Sequence, residues 1–342
     1  MRARRLSRTL LALAAATLLP AGAYAGGASA PPAGTVDGRA WLDRIHGAAS
    51  QRNYQGTLVH SAGGAVSSSR IVHYAEGRQT FERIEMLDGQ PRQVLRHNEV
   101  VQTWWPQRRQ VVIERRDALV QFPALLQDGE EQLFERYELV PEGVDRVAGH
   151  DSLVFLLRPR DLLRFAQRLW AERVSGLLLR TDVLASNGRV LESSAFTEVS
   201  IGIKPQPDSV LLPMKKLDGY SVLRPSFART QLAAEGWQLQ SPVAGFHQAS
   251  CVKRLLGAGV DPQAVPSEAA PSDVLQAIFS DGLTHVSVFI EPYNAARHKP
   301  VAASIGATHT LMNQQGDWWV TVMGDVPMAT LKQFAGALER RP

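Results

Sequence analysis

The chain has 342 residues, with 37 basic and 33 acidic side chains and a single cysteine. Arg2, Arg4, Arg5 and Arg8 crowd the first 25 positions, so the remainder is formally neutral; the basic excess argues nothing about nucleic acid, and no nucleic-acid partner is expected. A lone Cys251 excludes an intramolecular disulfide framework, and the length implies two domains.

The first element is an export signal over residues 1–25. MRARRLSR is a basic leader, residues 9–19 are apolar and uncharged, and Ala23-Tyr24-Ala25 is a small-x-small cleavage site. The apolar run is too short to span a bilayer, and no later stretch is long enough, so a soluble exported protein is expected. Next comes a helix over 39–53, with Asp37 as its cap and Trp41, Ile45 and Ala48 on one face. From 54 to 116, short alternating runs separated by Gly, Asp-Gly or Pro predict an antiparallel meander. Residues 117–135 lose the alternation and read as broken helical turns. Extended runs return at DSLVFLLRP, and RFAQRLWAERVSGLLLRTDVLASNGRVLESSAFTEVSI reads as three strands joined by Val-Ser-Gly and Asn-Gly turns.

Three prolines in IKPQPDSVLLP break the pattern. They place a domain boundary between 203 and 226, giving a first domain over 37–204, a linker over 205–225 and a second domain over 226–342. In the second domain GWQLQSPVAGFH contains a short strand, and residues 257–273 read as a flexible loop. In FSDGLTHVSVFIEP, Asp281-Gly282 is a turn signal and Pro292 a stop. Val286, Val288 and Ile290 fall on one face of that strand; His285, Ser287, Phe289 and Glu291 fall on the other. A hairpin around Gln315-Gly316 and a closing helix, MATLKQFAGAL, complete the chain. The fold class is mainly β with a few helices (α+β).

The usual reaction chemistries find no footing. The nine histidines are scattered with no HExxH, and no GxSxG elbow or GxxxxGK loop occurs. His60 and His73 could face each other on neighbouring strands. His285 and Glu291 stand roughly 20 Å apart along a strand, too far to act together. Glu82 and Glu85 read as charges on a strand face, Asp161 and Arg164 as a surface ion pair, and Cys251 as a small apolar residue. Trp104-Trp105 and Trp318-Trp319 put one ring on each face, so one of each pair is expected in a core and the other exposed for binding. Neither an enzyme nor a cofactor or metal site is expected; the reading is a binding protein. Between 26 and 204 every basic residue but Lys204 is arginine, which suits phosphate or carboxylate contacts. A GC-rich coding bias explains the same pattern equally well.

YQGTLVH, FERIEMLDGQPRQVLR, RLWAERVSGLLLRTDVL with GRVLE, FSDGLTHVSVFIEP and GDWWVTVMGDVPMATLKQFA together resemble the MucB/RseB family, periplasmic regulators of the envelope-stress sigma factor. The resemblance runs in order over nearly all of the chain after residue 25. It implies a first domain like the lipoprotein carriers LolA and LolB: a strongly curved, unclosed, barrel-like antiparallel sheet. A smaller carboxy-terminal antiparallel sheet with a helix is implied as well. It further implies binding of the periplasmic segment of a single-span anti-sigma factor, which is shielded from proteolysis. Release would follow lipopolysaccharide or the acyl chains of mislocalised lipoprotein. On that reading Leu58, Ile71, Trp104, Trp170 and Leu179 line or rim a lipid cavity. Phe279, His285, Glu291 and Trp318 lie at the partner surface. A homo-oligomer is left open, and the alternative is a periplasmic lipid or lipoprotein carrier of the LolA type.

Overall fold

The structure, a computed structural model, describes residues 37–115, 130–256 and 272–341. The expected export signal, most of the broken helical stretch and most of the expected loop at 257–273 lie outside the described residues.

Helix α1 (Gly38–Gln51) begins where Asp37 accepts the amide hydrogens of Arg39 and Ala40 at 3.0 and 3.3 Å. Then follow β1 (Tyr54–Ala62), β2 (Ala65–Glu76), β3 (Gln79–Met86), β4 (Gln93–His97), β5 (Val100–Trp105) and β6 (Gln110–Arg115). After helix α2 (Glu130–Arg136) come β7 (Tyr137–Val147), β8 (His150–Pro159), β9 (Ala166–Glu172), β10 (Leu178–Leu184) and β11 (Val190–Ile201). Helix α3 (Asp208–Lys215) and strand β12 (Ser221–Leu223) follow.

These twelve strands form one sheet in the order β12-β6-β5-β4-β3-β2-β1-β11-β10-β9-β8-β7. Every pair is antiparallel except β12 with β6. The two end strands do not pair, so the sheet is unclosed, but it curls. His150 Nε2 lies 3.2 Å from the Val199 carbonyl, although their strands are three positions apart, about 14 Å in a flat sheet. Helix α1 packs against the sheet through Leu42, Ile45, Ala48 and Ala49, which are buried. Leu42 holds the central place expected of Trp41. The indole sits at the margin, 5.6 Å from the Phe155 ring and beneath the Arg44 guanidinium.

Residues 205–225 are not a free linker. Val210, fully buried on α3, joins Leu211, Met214 and Tyr220 in covering Tyr74, Phe81, Leu95, Trp104 and Val111. Burying such a valine stabilises by about 1.5–3 kcal/mol, enough to hold a short proline-flanked helix on the sheet. β12 then pairs with β6, so the first sheet is completed by residues up to Leu223. Trp104 and Trp105 are both buried, because α3 and Tyr220 cover the face that the alternation left open.

The second sheet draws on β13 (Phe227–Arg229), β15 (His247–Leu256), β16 (Ser272–Ser280), β17 (His285–Pro292), β18 (Val301–Ile305), β19 (Thr308–Gln315) and β20 (Trp318–Gly324), after the short β14 (Trp237–Leu239). Its order is β13-β15-β16-β17-β20-β19-β18. Helix α4 (Met328–Ala337) lays Leu331, Phe334 and Ala335 on Val286, Val288, Ile290, Val320 and Val322. A last strand, β21 (Leu338–Arg340), pairs with β14. The mainly β expectation therefore holds: a large unclosed sheet, then a smaller antiparallel sheet with a helix.

Candidate functional site

The turn between β16 and β17 is where the second sheet meets the first. Asp281 Oδ1 accepts the amide hydrogens of Leu283 and Thr284 at 2.9 and 2.8 Å, and Ser280 Oγ accepts that of Gly282 at 3.0 Å. Gly282 sits at φ +96°, a conformation that favours glycine. The turn so fixed aims both of its projecting side chains at the first domain. Leu283 enters the cluster of Leu42, Ile45, Leu133, Phe155, Leu157 and Leu169. The other Asp281 oxygen accepts the Tyr137 hydroxyl at 2.9 Å and the Arg164 Nε hydrogen.

Arg164 is fully used. It pairs with Asp161 through Nη1, donates through Nη2 to the Ala244 carbonyl at 2.9 Å, and lies 4.7 Å from the Phe246 ring centroid. Its side chain and that of Asp281 are wholly buried. Burial works against the arginine charge, but Asp281 outweighs it and holds the guanidinium above its ordinary value. Burial, then the Asp281 charge, pushes the Tyr137 phenol well up. The expected Asp161–Arg164 pair thus exists, but not on the surface: Asp281, 117 positions away, and Phe246 bury the guanidinium. Beside it, Thr330 Oγ1 on α4 donates to the Leu163 carbonyl at 2.8 Å.

A second contact lies between the β1–β2 and β10–β11 turns and the β18–β19 turn. Gly306 has φ +60°, and a Cβ there would fall 2.7 Å from Ala62 Cβ, so glycine is required twice over. A cleft of about 380 Å³ opens here, lined by Ser61, Gly63, Gly64, Arg189, Glu192 and Ser304. Glu192 faces His60 at 3.7 Å and accepts the Ala307 amide hydrogen, with Asp325 also nearby. Burial and the Asp325 charge raise its carboxyl above the ordinary value, against the opposing pull of His60 and Ala307.

Of the five expected lipid-contact residues, Leu58, Ile71, Trp170 and Leu179 share one cluster with Ala48 of α1 and Phe196. Trp104 belongs to a separate cluster beneath α3. All five are buried against protein. Among the expected partner contacts, His285 is exposed, and Glu291 is half-buried, 3.7 Å from His298. Trp318 is half-buried, edge-on to Trp237 and under the Arg340 guanidinium at 4.4 Å. Phe279 is buried in the second core, 5.1 Å from the Phe334 ring, so it offers no surface in this conformation. His60 and His73 are not opposite one another, since Ser67 faces His60 and Tyr54 faces His73. Among the described residues no group of three or more His, Cys, Asp or Glu side chains converges to hold a metal. Burial, then the Glu235 charge, pushes the Cys251 thiol up to about 11, away from reactivity.

Two sheets held by a buried polar joint define a mainly β protein of two sheet-based parts. The chain belongs to the MucB/RseB family: residues 37–214 match the MucB/RseB N-terminal domain and residues 231–339 the C-terminal domain. It is 28% identical over 313 residues to the sigma factor AlgU regulatory protein MucB of Pseudomonas aeruginosa, covering 89% of this chain and 92% of that one. It is 22% identical over 316 residues to the sigma-E factor regulatory protein RseB of Escherichia coli K12, covering 91% and 92%. The crystal structure of MucB in complex with MucA(peri) matches with a TM-score of 0.66 at 26% identity, over 90% of this chain and 100% of that one. The Pseudomonas aeruginosa MucA/MucB complex matches with a TM-score of 0.68 at 27% identity, over 89% and 99%.

Proposed function

We propose that this chain is a periplasmic regulator that binds the periplasmic segment of a single-span anti-sigma factor and shields it from regulated proteolysis. The observation that carries the reading is the match of both family domains, in order, to a protein whose structures include complexes with MucA(peri). The protein acts by binding and not by catalysis. Calorimetric titration of the purified protein with the periplasmic segment of its cognate anti-sigma factor tests this, with protease digestion of the segment alongside. Saturable binding and slowed cleavage are expected; absence of both would overturn the reading. Placement in the periplasm rests on the sequence of residues 1–25, and intact-mass measurement of the exported protein is expected to show cleavage after Ala25.

Release by lipopolysaccharide or mislocalised lipoprotein belongs to the same proposal. An acyl chain entering the first domain would meet Leu58, Ile71, Trp170 and Leu179 and compete with Ala48 of α1 for them. Each methylene it buried would gain about 0.8 kcal/mol. Linkage makes the coupling reciprocal: lipid that weakens partner affinity tenfold must bind the complex tenfold more weakly. Unchanged partner affinity in saturating lipid would remove this part of the proposal and leave partner binding intact.

A further inference from the structure

The second sheet ends on an open edge. β18 is bonded to β19 on one side, and no described strand pairs with its other side. All five of its residues are exposed, Ile305 at 67%. Edge strands are ordinarily blunted by a charge, a proline or a bulge. β18 reads Val-Ala-Ala-Ser-Ile and runs in unbroken register with β19, so it carries none of these. The β7 edge of the first sheet is the counterexample: it holds Pro141, a register shift before Gly143, and Glu142, Asp145 and Arg146.

The turn decides which backbone groups point outward. Ile305 and Thr308 flank the two-residue turn Gly306-Ala307, with the positive φ at its first central residue. The flanking pair is bonded across the hairpin and bonding alternates from there. Ala302 and Ser304 therefore turn their N–H and C=O groups away from β19. Val301, Ala303 and Ile305 put their side chains on one face as an apolar stripe. Just before the strand stand Arg297 and Lys299, both exposed and neither paired with an acid among the described residues. At its far end Ser304 and Gly306 line the cleft against Gly63, Gly64 and Arg189 of the first domain.

We propose that β18 is the docking edge for an extended segment of the protein partner, added antiparallel as an eighth strand of the second sheet. Small or apolar residues at alternate positions of that segment lie beside Val301, Ala303 and Ile305. Acidic residues at its carboxy-terminal end meet Arg297 and Lys299, and its amino-terminal end reaches the cleft, touching both domains at once. Main-chain bonding supplies affinity in such strand additions, and the side chains and end charges supply register. The inference rests on the reading that this chain binds a periplasmic anti-sigma segment.

The test is a fluorescence-anisotropy titration of the full chain with the whole periplasmic segment of the cognate anti-sigma factor and with overlapping peptides tiling it. One acid-ended peptide should retain binding. Ala302→Pro with Ser304→Pro removes two outward donors and no bond to β19, so affinity should fall at least tenfold with the thermal midpoint little changed. Should that variant fail to fold, Arg297→Glu with Lys299→Glu decides alone, with at least a fivefold loss and a shallower salt dependence expected. Unchanged affinity in the folded variants overturns the proposal while leaving partner binding standing. Failure of the unaltered protein to bind the whole segment overturns both. Variants that alter self-association and not partner affinity assign the edge to a second copy of the chain, which also overturns it.

Discussion

The two contacts between the sheets are built on opposite electrostatic plans. At the β16–β17 turn, Asp281 receives four donors and the buried Arg164 spends its guanidinium on two carboxylates, a carbonyl and a ring. At the β18–β19 turn, Glu192 lies by another carboxylate, Asp325, beside an open cleft, with His60 as partial compensation. A buried ion pair adds little net stability over an apolar pair but makes misalignment costly, since any shift strands a charge. The first contact therefore fixes orientation. The second is electrostatically less matched, and the unpaired β18 edge lies next to it.

The largest test of that contrast is Asp281→Ala. It leaves Arg164 buried with Asp161 as its one remaining acidic partner and should cost about 3–5 kcal/mol in urea unfolding. The double change Arg164→Met with Asp281→Asn, which keeps an oxygen for the Leu283 and Thr284 amide hydrogens, should recover much of that loss; if it does not, the ion pair itself stabilises and orientation is not its main role. Next, Leu283→Ala empties part of the first domain's core, at the lower end of the roughly 2–5 kcal/mol typical of such truncations. Limited proteolysis between the domains should quicken in parallel. Thr330→Val leaves the Leu163 carbonyl without that donor, a loss of about 1 kcal/mol by thermal unfolding.

The smallest effect is at Glu192. Its carboxyl is raised in the folded state, so its contribution to stability is fully present below the ordinary value of 4.5 and is lost as pH rises through the raised value. Glu192→Gln should flatten the stability–pH curve in that window and leave the protein slightly more stable at neutral pH. An unchanged slope would show that His60 already neutralises the site.

Much of the fold was legible because its strands are half-buried. Alternation identifies β1 to β6 and β8 to β11, and Val286, Val288 and Ile290 are buried as their parity predicts. β7 escapes because residues 142–146 are exposed on both faces and Pro141 and Gly143 mimic a turn. β18 escapes for the same reason, having no buried face at all. Of the joint, the sequence shows the Asp281-Gly282 turn and the Asp161–Arg164 pair as separate local signals. Nothing local tells that residues 164 and 281 meet, because that contact is decided by how two finished sheets pack. The covering of Trp104 by α3 is hidden likewise, since prolines that look like a linker here bound a packed helix.

The place of β1 in the first sheet has a consequence for how the chain reaches this structure. One side of β1 pairs with the neighbouring β2, but the other pairs with β11, from Tyr54 with Ile201 to Ala62 with Glu192. A chain that appears amino-terminus first must carry that side of β1 bare until more than a hundred further residues have followed. Joining the meander from β1 to β6 with the hairpins from β7 to β11 is then a single long-range closure, the kind of step that high contact order makes slow. Refolding should show the β1–β11 junction forming last: Phe196→Leu, at that seam, is expected to speed unfolding and leave the folding rate almost unchanged in stopped-flow measurements. During that interval the bare β1 edge is open to pairing with other chains.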